Sequence, residues 1–341
     1  MGVNLSPLIN KYKNKISFSY LRNKIIAIDA YNTIYQFLST IRDATGRPLR
    51  NSRGRVTSHL SGLFYRNINL LKEGIKLVYV FDGIPPSRKM KELERRKILK
   101  QESYTKYLEA LERKDYEQAR KYAVMASTLE EYMVEDSIKL LNLMGIPTII
   151  APSEGEAQAS YMAQKGDVWA VGSQDYDSFL FGAPRIVRNI TLTGTIKYPS
   201  KGIEVKLKPE IINLKDILNG LQINRRQLID IAILIGTDYN EGVKGIGPKK
   251  AYALIKTYGE IEKILISESK IRTILSELNE IRDLFINPKV TDNYTLEFKD
   301  IDITGVEEFL CEEHDFSKKR VSKALDEYKK STSIKSLDQW F

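Results

Sequence analysis

Four hydrophobic segments of the sequence each lead to an acidic residue. They are rich in β-branched and aromatic side chains and do not alternate between apolar and polar residues. Such continuous runs are typical of strands that are buried on both faces of a parallel sheet. The segments and the acids that follow them are Ile25–Ile28 with Asp29, Leu77–Phe81 with Asp82, Pro147–Ile150 with Glu154, and Val168–Val171 with Asp175.

Helical patterns separate these strands, over roughly 57–72, 88–143 and 154–165. Strands that alternate with helices predict an α/β protein with a mostly parallel central sheet flanked by helices. Almost sixty residues between Pro86 and Gly145 contain neither Gly nor Pro, whereas a crossover between parallel strands needs only about a dozen residues. We therefore expect a large helical insertion at about 84–135, beginning beside Asp82.

The rest of the chain carries weaker signals. Residues 186–198 predict a β-hairpin around Gly194, because two β-rich runs flank that glycine. Residues 209–330 are expected to be mostly helical, and a short tail at 331–341 ends in Trp340-Phe341.

The amino-acid composition excludes several classes of protein and of metal site. The 341 residues include 53 Lys plus Arg against 44 Asp plus Glu, a net charge of +9 that suggests a polyanionic partner. One cysteine, Cys311, excludes a disulfide scaffold, and with only two histidines a zinc site of the usual kind is implausible. No stretch approaches the ~20 apolar residues of a membrane span, and the N-terminus lacks the apolar core of a signal peptide. We expect a protein without a membrane partner, cytoplasmic in an archaeon and nuclear in a eukaryote.

Acids at the ends of parallel strands should meet at one edge of the sheet. Seven carboxylates gathered there would repel one another and raise several of their pKa values. Two Mg²⁺ ions, with Mn²⁺ as a substitute, would reduce a charge of about −7 to about −3 through the oxygen ligands that they prefer. The acids in question are Asp29, Asp82, Glu154, Glu156, Asp175, Asp177 and Asp238. The cluster favours metal-assisted phosphodiester hydrolysis over nucleophilic catalysis.

Simpler explanations exist for some of these acids. Ser153 and Glu156 fit a capping box, in which Glu156 only caps the following helix. Asp175 and Asp177 are also typical turn formers, and Asp238 in Gly-Thr-Asp-Tyr is compatible with a turn after a helix.

A different class of phosphate-cleaving enzymes is excluded by the residue at a single position. Haloacid-dehalogenase-like phosphatases need Asp-x-Asp after the first strand, but the residue two beyond Asp29 is Tyr31.

Positive charge concentrates at the start of the helical insertion. Seven basic residues against two acids lie between Arg88 and Lys100. Lys89 and Arg96 are seven residues apart, so two helical turns place them on one face. Such a face near metal ions suits the scissile phosphate, although a solvated surface pair would show the same spacing.

A second basic element is Val243–Ala251, which matches the helix-hairpin-helix pattern h-x-G-h-G-x-x-x-A throughout. Glycines there allow a tight turn that presents N–H groups to phosphate oxygens. Four residues of this motif are expected to contact duplex DNA without reading its sequence: Gly245, Gly247, Lys249 and Lys250.

Together these motifs resemble those of the archaeal and eukaryotic flap endonucleases, in the structure-specific 5′ nuclease superfamily. The resemblance covers essentially residues 1–330. It rests on Met-Gly at the start, Asp29-Ala30, Ile34-Tyr35-Gln36-Phe37-Leu38, Thr57-Ser58-His59-Leu60, Phe81-Asp82-Gly83-x-Pro85-Pro86, Ala151-Pro152-Ser153-Glu154-Gly155-Glu156-Ala157, Gly236-Thr237-Asp238-Tyr239 and Gly245-Ile246-Gly247-Pro248.

This resemblance implies a single, monomeric nuclease domain at 1–330 that cuts branched DNA with a 5′ flap. The insertion would be a helical arch, with the helix-hairpin-helix region at about 220–260. All seven acids would serve two divalent ions, and Lys89 and Arg96 would act on the scissile phosphate. The resemblance also implies that Gly2 lies near the DNA and that Tyr35 stacks on a base. Arg320, with Thr57, would contact a one-nucleotide 3′ flap. The helix-hairpin-helix would bind duplex DNA together with a K⁺ ion. From the residues alone, Tyr35 is equally compatible with a core position.

The tail resembles a peptide that binds a sliding clamp (PCNA), with Leu337, Trp340 and Phe341 at the apolar positions. It departs from the usual pattern because Ile334 stands where glutamine is expected. Two other functions remain open at this point. One is a non-catalytic junction-binding or clamp-associated scaffold, and the other is a gap exonuclease or junction resolvase of the same superfamily.

Overall fold

The fold is built on a mixed β-sheet. The computed structural model describes residues 2–43, 46–113, 115–192, 195–198, 203–267 and 277–337. In these ranges seven strands form the main sheet, in the order β1-β9-β6-β5-β2-β3-β4. The strands of this sheet are β1 (Asn14–Lys15), β2 (Ile25–Asp29), β3 (Lys76–Phe81), β4 (Thr148–Ile150), β5 (Ala170–Gly172), β6 (Arg185–Arg188) and β9 (Glu210–Asn213).

The central strands run parallel. β2 lies between β3 and β5, β3 also pairs with β4, and β5 also pairs with β6, all in parallel register. Only β9 runs antiparallel to its two neighbours, β6 and β1. The predicted α/β class with a mostly parallel sheet is confirmed.

Side chains alternate between the two faces of the central strands, and both faces are buried. In β2, Ile26 and Ile28 pack into one hydrophobic cluster while Ala27 packs into another. Helices cover both faces, which explains why these strands are hydrophobic throughout. The four predicted strands thus exist, and the acids that follow them lie at the same edge of the sheet.

The helices form the layers around this sheet. One face is covered by α2, α3, α6 and α15, and the other by α7, while a third cluster gathers α8 to α13 beside β6 and β9. Their bounds are α1 (Ser6–Ile9), α2 (Ala30–Thr40), α3 (Ser58–Lys72), α4 (Met90–Glu112), α5 (Tyr116–Met125), α6 (Glu131–Leu143), α7 (Gly155–Lys165), α8 (Asp177–Leu180), α9 (Leu214–Leu221), α10 (Arg225–Ile235), α11 (Pro248–Tyr258), α12 (Ile261–Ser267), α13 (Leu278–Ile286), α14 (Ile303–Glu307) and α15 (Lys318–Leu337).

The helical pattern predicted over 88–143 is divided into three helices. The first helix ends at Glu112, and Asp115 caps α5, since its side chain accepts a hydrogen bond from the backbone N–H of Gln118. The helices α4 and α5 pack against each other, whereas α6 belongs to the core through Leu140 and Leu141.

The hairpin predicted around Gly194 is wrong. Both Ile186 and Val187 are fully buried, and β6 is taken into the main sheet between β5 and β9. The following strand β7 (Thr195–Tyr198) pairs instead with β8 (Ile203–Lys206) in a separate two-stranded ribbon. Tertiary burial of the first run therefore overrides the local hairpin signal. The helical prediction for 209–330 also has exceptions, because β9 lies at its start and 287–302 contains neither helix nor strand.

Two findings concern the ends and surface of the chain. The helix α15 runs to Leu337, so it includes the first residues of the predicted tail. Trp340 and Phe341 lie outside the described residues, and so does the side chain of Leu337. No helix in the described ranges has both the length and the apolar character needed to cross a bilayer.

His59 gives the fold a pH-dependent stability. It is fully buried in α3 and neither ring nitrogen has a hydrogen-bond partner. Burial, and next the neighbouring His314, lower its pKa to about 3. In the unfolded chain the imidazole takes up a proton near pH 6.5, so stability is lost as the pH falls below 6.5. We expect His59 to account for a loss of about 2 kcal/mol between pH 7 and pH 5. Urea unfolding of the wild type and of His59→Leu at both pH values measures this change in the free energy of unfolding. If both proteins lost the same stability between pH 7 and pH 5, His59 would not be its source.

Candidate active site

The seven predicted acids come together at the carboxyl edge of the sheet. Each of them interacts electrostatically with at least two of the others. The strands β2, β3 and β5 deliver Asp29, Asp82 and Asp175, and the loop after β4 delivers Glu154. Glu156 lies on α7, Asp177 begins α8, and Asp238 follows α10. The prediction that the strand ends converge is thus met by the fold.

Asp29 and Asp175 share a neighbour, Asn32. Asp29 is the N-cap of α2, and its Oδ1 accepts the backbone N–H of Asn32 at 3.0 Å. The side-chain amide of Asn32 donates to Oδ2 of Asp175 at 2.7 Å. Asp29 therefore caps a helix and also faces the site.

Backbone and hydroxyl groups fix the next two acids. The N–H of Gly155 donates to Oδ1 of Asp82 at 2.6 Å. The carboxylate of Glu156 accepts hydrogen bonds from Ser173 at 2.7 Å and Ser178 at 3.1 Å. The capping box proposed for Glu156 is wrong, because the N-cap of α7 is Glu154 and no side chain caps this helix.

The N-terminal segment reaches the other side of the cluster. The backbone N–H of Val3 donates to Oδ1 of Asp177 at 2.7 Å. A Cβ atom at Gly2 would stand 2.7 Å from that same oxygen and 2.9 Å from Cβ of Asp175. Gly2 therefore packs directly against both acids.

Glu154 is held by two donors. Its carboxylate accepts hydrogen bonds from Lys89 and from the hydroxyl of Tyr239. The Tyr239 ring packs against Phe285 with the centroids 5.1 Å apart. Burial, and next the adjacent Glu154, raise the pKa of Tyr239, so its hydroxyl remains a donor.

Two basic residues, one just before α4 and one on this helix, are directed at these acids. Nζ of Lys89 also lies 3.6 Å from Oδ2 of Asp238. The guanidinium of Arg96 donates to Oδ1 of Asp238 at 2.6 Å and to Glu92, one turn earlier, at 2.7 Å. Asp238 stands in a turn closed by Thr237 and Asn240, so it has both the turn geometry and the ion pairs. Lys89 and Arg96 are thus not a solvated surface pair.

Burial and mutual repulsion shift the titration of the acids. Burial, and next the charge of Asp82, raise the pKa of Asp29 to about 8. Burial, and next Asp175, raise the pKa of Asp177 to about 7. Burial raises the pKa of Asp82, and it raises that of Glu156 well above its usual value. The raised pKa values show that too little positive charge surrounds these carboxylates to stabilise their ionised forms. Divalent cations bound among them would supply that charge.

The opposite effect acts on Lys89. Burial alone would lower its pKa, but Glu154 and the other acids raise it above the usual value. The ammonium therefore stays protonated at neutral pH and supplies a fixed positive charge beside the cluster.

The donor set fits hard divalent cations. Carboxylate oxygens are the ligands that Mg²⁺ and Mn²⁺ prefer, and neither histidine belongs to this cluster. In the described ranges, no three acidic, histidine or cysteine side chains are already arranged around a metal position.

Tyr35 is half-buried on α2, next to Lys100 of α4. Nζ of Lys100 lies 4.3 Å from the centroid of its ring and 3.1 Å from its hydroxyl. The ring is therefore partly accessible and covered by a cation, rather than enclosed in the core.

The helix-hairpin-helix element lies between α10 and α11. Ile246 and Ala251 anchor it in the core, and Gly247 is the N-cap of α11. Gly245 has a φ of +85°, and a Cβ there or at Gly247 would meet nothing within 4 Å. The exposed residues between Val243 and Ala251 are Lys244, Gly245, Gly247, Lys249 and Lys250, so backbone and cations face open solvent, and their contact with DNA stays a prediction.

The residues expected at a 3′ flap are less informative. Arg320 is exposed on α15, whereas Thr57 is buried at the start of α3. Their joint role stays a prediction.

Sequence reasoning missed four groups that hold the acids. They are Asn32, Ser173, Ser178 and Tyr239. Each stands within three residues of an acid already singled out, which was the only signal available. Their partners are distant in sequence, so only the fold reveals the contacts.

We expect Gly155→Ala to reduce cleavage about 10- to 100-fold, since small displacements of catalytic groups have effects of this size. A Cβ at Gly155 would stand 2.9 Å from Oδ1 of Asp82 and 3.0 Å from the backbone oxygen of Val80. Asp82 would have to move. Single-turnover rates on flap DNA test this against Gly166→Ala, since a Cβ there meets nothing within 4 Å although its φ is +87°. An unchanged rate for Gly155→Ala would contradict the prediction.

Comparison with known proteins gives a consistent result. The chain matches the XPG N-terminal domain over residues 1–103 and the XPG I-region over residues 145–238. It is 52% identical to flap endonuclease 1 of Pyrococcus abyssi, over 100% of this chain and 98% of that protein. It also resembles the structure of flap endonuclease-1 from Methanococcus jannaschii, with a TM-score of 0.76, 46% identity, and coverage of 98% of this chain and 100% of that one.

A more distant structure shares the fold alone. The catalytic core of Rad2 in complex with DNA substrate has a TM-score of 0.72 at 23% identity, covering 96% of this chain and 100% of that one. With the acids gathered at one sheet edge and identity above 50% over its whole length, the chain belongs to the flap endonuclease 1 family of XPG-type nucleases.

Proposed function

We propose that this chain cuts DNA at the base of a 5′ single-stranded flap and also acts as a 5′–3′ exonuclease, in Okazaki-fragment maturation and DNA repair. The family consists of metal-dependent nucleases that hydrolyse phosphodiester bonds in DNA. The observation that carries the proposal is the cluster of seven acids, which faces the basic side of α4. A non-catalytic scaffold would have no use for seven mutually repelling carboxylates, three of them buried and four half-buried.

The seven acids would hold two Mg²⁺ ions, directly or through water, with Mn²⁺ as a substitute. The proposed ligands are Asp29, Asp82, Glu154, Glu156, Asp175, Asp177 and Asp238. When bound, two such ions would activate water and stabilise the charge on the attacking and leaving oxygens. The buried walls of the site would exclude bulk water and strengthen these interactions.

Two basic residues at the start of the insertion, Lys89 just before α4 and Arg96 on it, would act on the scissile phosphate. Lys89 and Arg96 now pair with Glu154 and Asp238, and a phosphate brought to the site offers them an anionic partner of the same kind. Charge that develops on the phosphate would then be stabilised by two fixed donors. Tyr35 would stack on a base beside the scissile bond, with Lys100 placed to contact the adjacent backbone.

The rest of the DNA would be bound without reading its sequence. Gly245 and Gly247, with Lys249 and Lys250, would bind phosphates of the duplex, together with a K⁺ ion. Gly2 would lie near the DNA because it packs beside Asp175 and Asp177. Arg320 would contact a one-nucleotide 3′ flap.

The tail would bind a sliding clamp (PCNA) through Leu337, Trp340 and Phe341. Support comes from the sequence pattern alone, which places aromatic anchors at the end of the chain. Calorimetry of the full chain and of a chain ending at residue 336, each titrated with PCNA, tests this interaction. If the full chain and the shortened chain bound PCNA with equal affinity, the tail would not be the binding segment.

The substrate class is tested by comparing cleavage rates on labelled 5′-flap, gapped and four-way DNA with Mg²⁺. We expect the flap to be cut fastest, because α4 and α5 form a large insertion above the acids. Faster cutting of gapped or four-way DNA would favour the gap exonuclease or junction resolvase. No cutting of any of the three would favour a scaffold.

A further inference from the structure

We infer that Asn32 is a positioning residue, which fixes Asp175 relative to Asp29 and so sets the spacing of two carboxylates in the site. This inference rests on the proposed function of that site. Asn32 is half-buried on the first turn of α2 and carries no charge. Its two hydrogen bonds reach acids from two different strands, at 3.0 Å and 2.7 Å.

The first of these bonds fixes Asn32 itself. Its backbone N–H caps α2 through Asp29, so the start of the helix is tied to the end of β2. This bond belongs to the main chain and persists in any variant except proline. The side chain of Asn32 therefore projects from a backbone whose position is set by Asp29.

The second bond links the neighbouring strand. Asp175 lies in the loop that follows β5, and β5 pairs directly with β2. The backbone N–H of Asp175 also donates to Ser173, which fixes the loop but not the direction of the carboxylate. The amide of Asn32 supplies that direction, across a sequence separation of 143 residues.

The chemistry of the amide suits this task. A carboxylate only accepts hydrogen bonds, so the amide must present its NH₂ group to Asp175. The contact uses one lone pair and leaves the carboxylate other lone pairs for a cation. An acid at position 32 would add repulsion, and a lysine or arginine would compete with metal ions for the same oxygens.

Partners that orient metal-binding side chains have a measurable effect. Removing such a partner usually weakens metal binding about 10- to 100-fold. We expect this loss for Asn32→Leu, whose side chain has the same number of heavy atoms and the same branching point as asparagine but no donor, and for Asn32→Ala. Agreement between the two variants would assign the effect to the hydrogen bond rather than to packing.

The experiment measures Mn²⁺ affinity of the full chain by electron paramagnetic resonance, in the absence of DNA. Asn69→Ala is the matched control, because Asn69 is exposed on α3. We expect Mn²⁺ to bind about 10- to 100-fold more weakly to both Asn32 variants and unchanged to Asn69→Ala. Affinity for flap DNA in EDTA should stay unchanged, while the Mg²⁺ concentration for half-maximal cleavage rises in parallel.

Two results would overturn the inference. One is wild-type Mn²⁺ affinity in both Asn32 variants, while the wild type itself binds Mn²⁺ and cuts flap DNA. The other is an equal loss of DNA affinity in EDTA and of thermal stability, which would assign Asn32 a general structural role. A wild type that neither binds Mn²⁺ nor cuts would instead remove the proposed function, and the inference with it.

Discussion

Asp175→Ala is expected to abolish cleavage of 5′-flap DNA while leaving affinity for that DNA largely intact. Asp175 interacts with Asp29, Glu156 and Asp177, so its loss removes a carboxylate from the middle of the cluster. The basic elements proposed to bind DNA do not depend on it. Single-turnover cleavage with Mg²⁺, and DNA binding in EDTA, measure the two properties separately.

The matched control for this change is Asp326→Ala, because Asp326 is an exposed acid on α15. It should cleave at the wild-type rate. Full cleavage by Asp175→Ala would remove this acid from the catalytic machinery.

Lys89→Ala is expected to slow cleavage about 10²- to 10³-fold, the usual effect of removing one donor from a developing charge. Lys89 contacts Glu154 and lies 3.6 Å from Asp238, and its raised pKa keeps it protonated at neutral pH. Because the chemical step is affected, the single-turnover rate at saturating DNA should fall, while the affinity for DNA changes little.

Lys91→Ala is the control for Lys89, since Lys91 is exposed on the first turn of α4, two residues beyond Lys89, which directly precedes this helix. It removes the same charge from α4 without touching the acids. Equal rates for the two variants would mean that α4 contributes only a general positive field.

The sequence predicted the sheet and the position of the site well. Buried parallel strands have an unmistakable hydrophobic pattern, as in Ile25–Ile28, and the acids after them must meet because parallel strands end at one edge. The family could be identified partly for the same reason, since several of its motifs, such as those at Asp29 and Asp82, stand at these strand ends.

Other features could not be predicted from local sequence. The run at Ile186–Val187 has the composition of a hairpin strand, and only its burial in the main sheet shows otherwise. The contacts of Asn32 with Asp175 and of Tyr239 with Glu154 join residues that are far apart in the chain. A polar side chain gives no sequence signal of where its hydrogen bond goes.

The ion pairs of α4 show a further limit of the sequence. Spacing placed Lys89 and Arg96 on one face, but it did not show that they pair with Glu154 and Asp238. A carboxylate that is proposed to bind a metal ion and a basic side chain that is proposed to bind a phosphate attract each other when metal ion and phosphate are both absent. Such pairing depends on how the start of α4 lies against the sheet edge in three dimensions.

The central claim is that the carboxyl edge of the sheet holds two divalent cations, and counting them tests it most directly. The number of Mn²⁺ ions bound per folded chain can be determined by electron paramagnetic resonance for wild type and Asp175→Asn. We predict two ions for the wild type and fewer for the variant. A folded wild-type chain that binds no Mn²⁺, or a variant that binds the full number with unchanged affinity, would contradict the account.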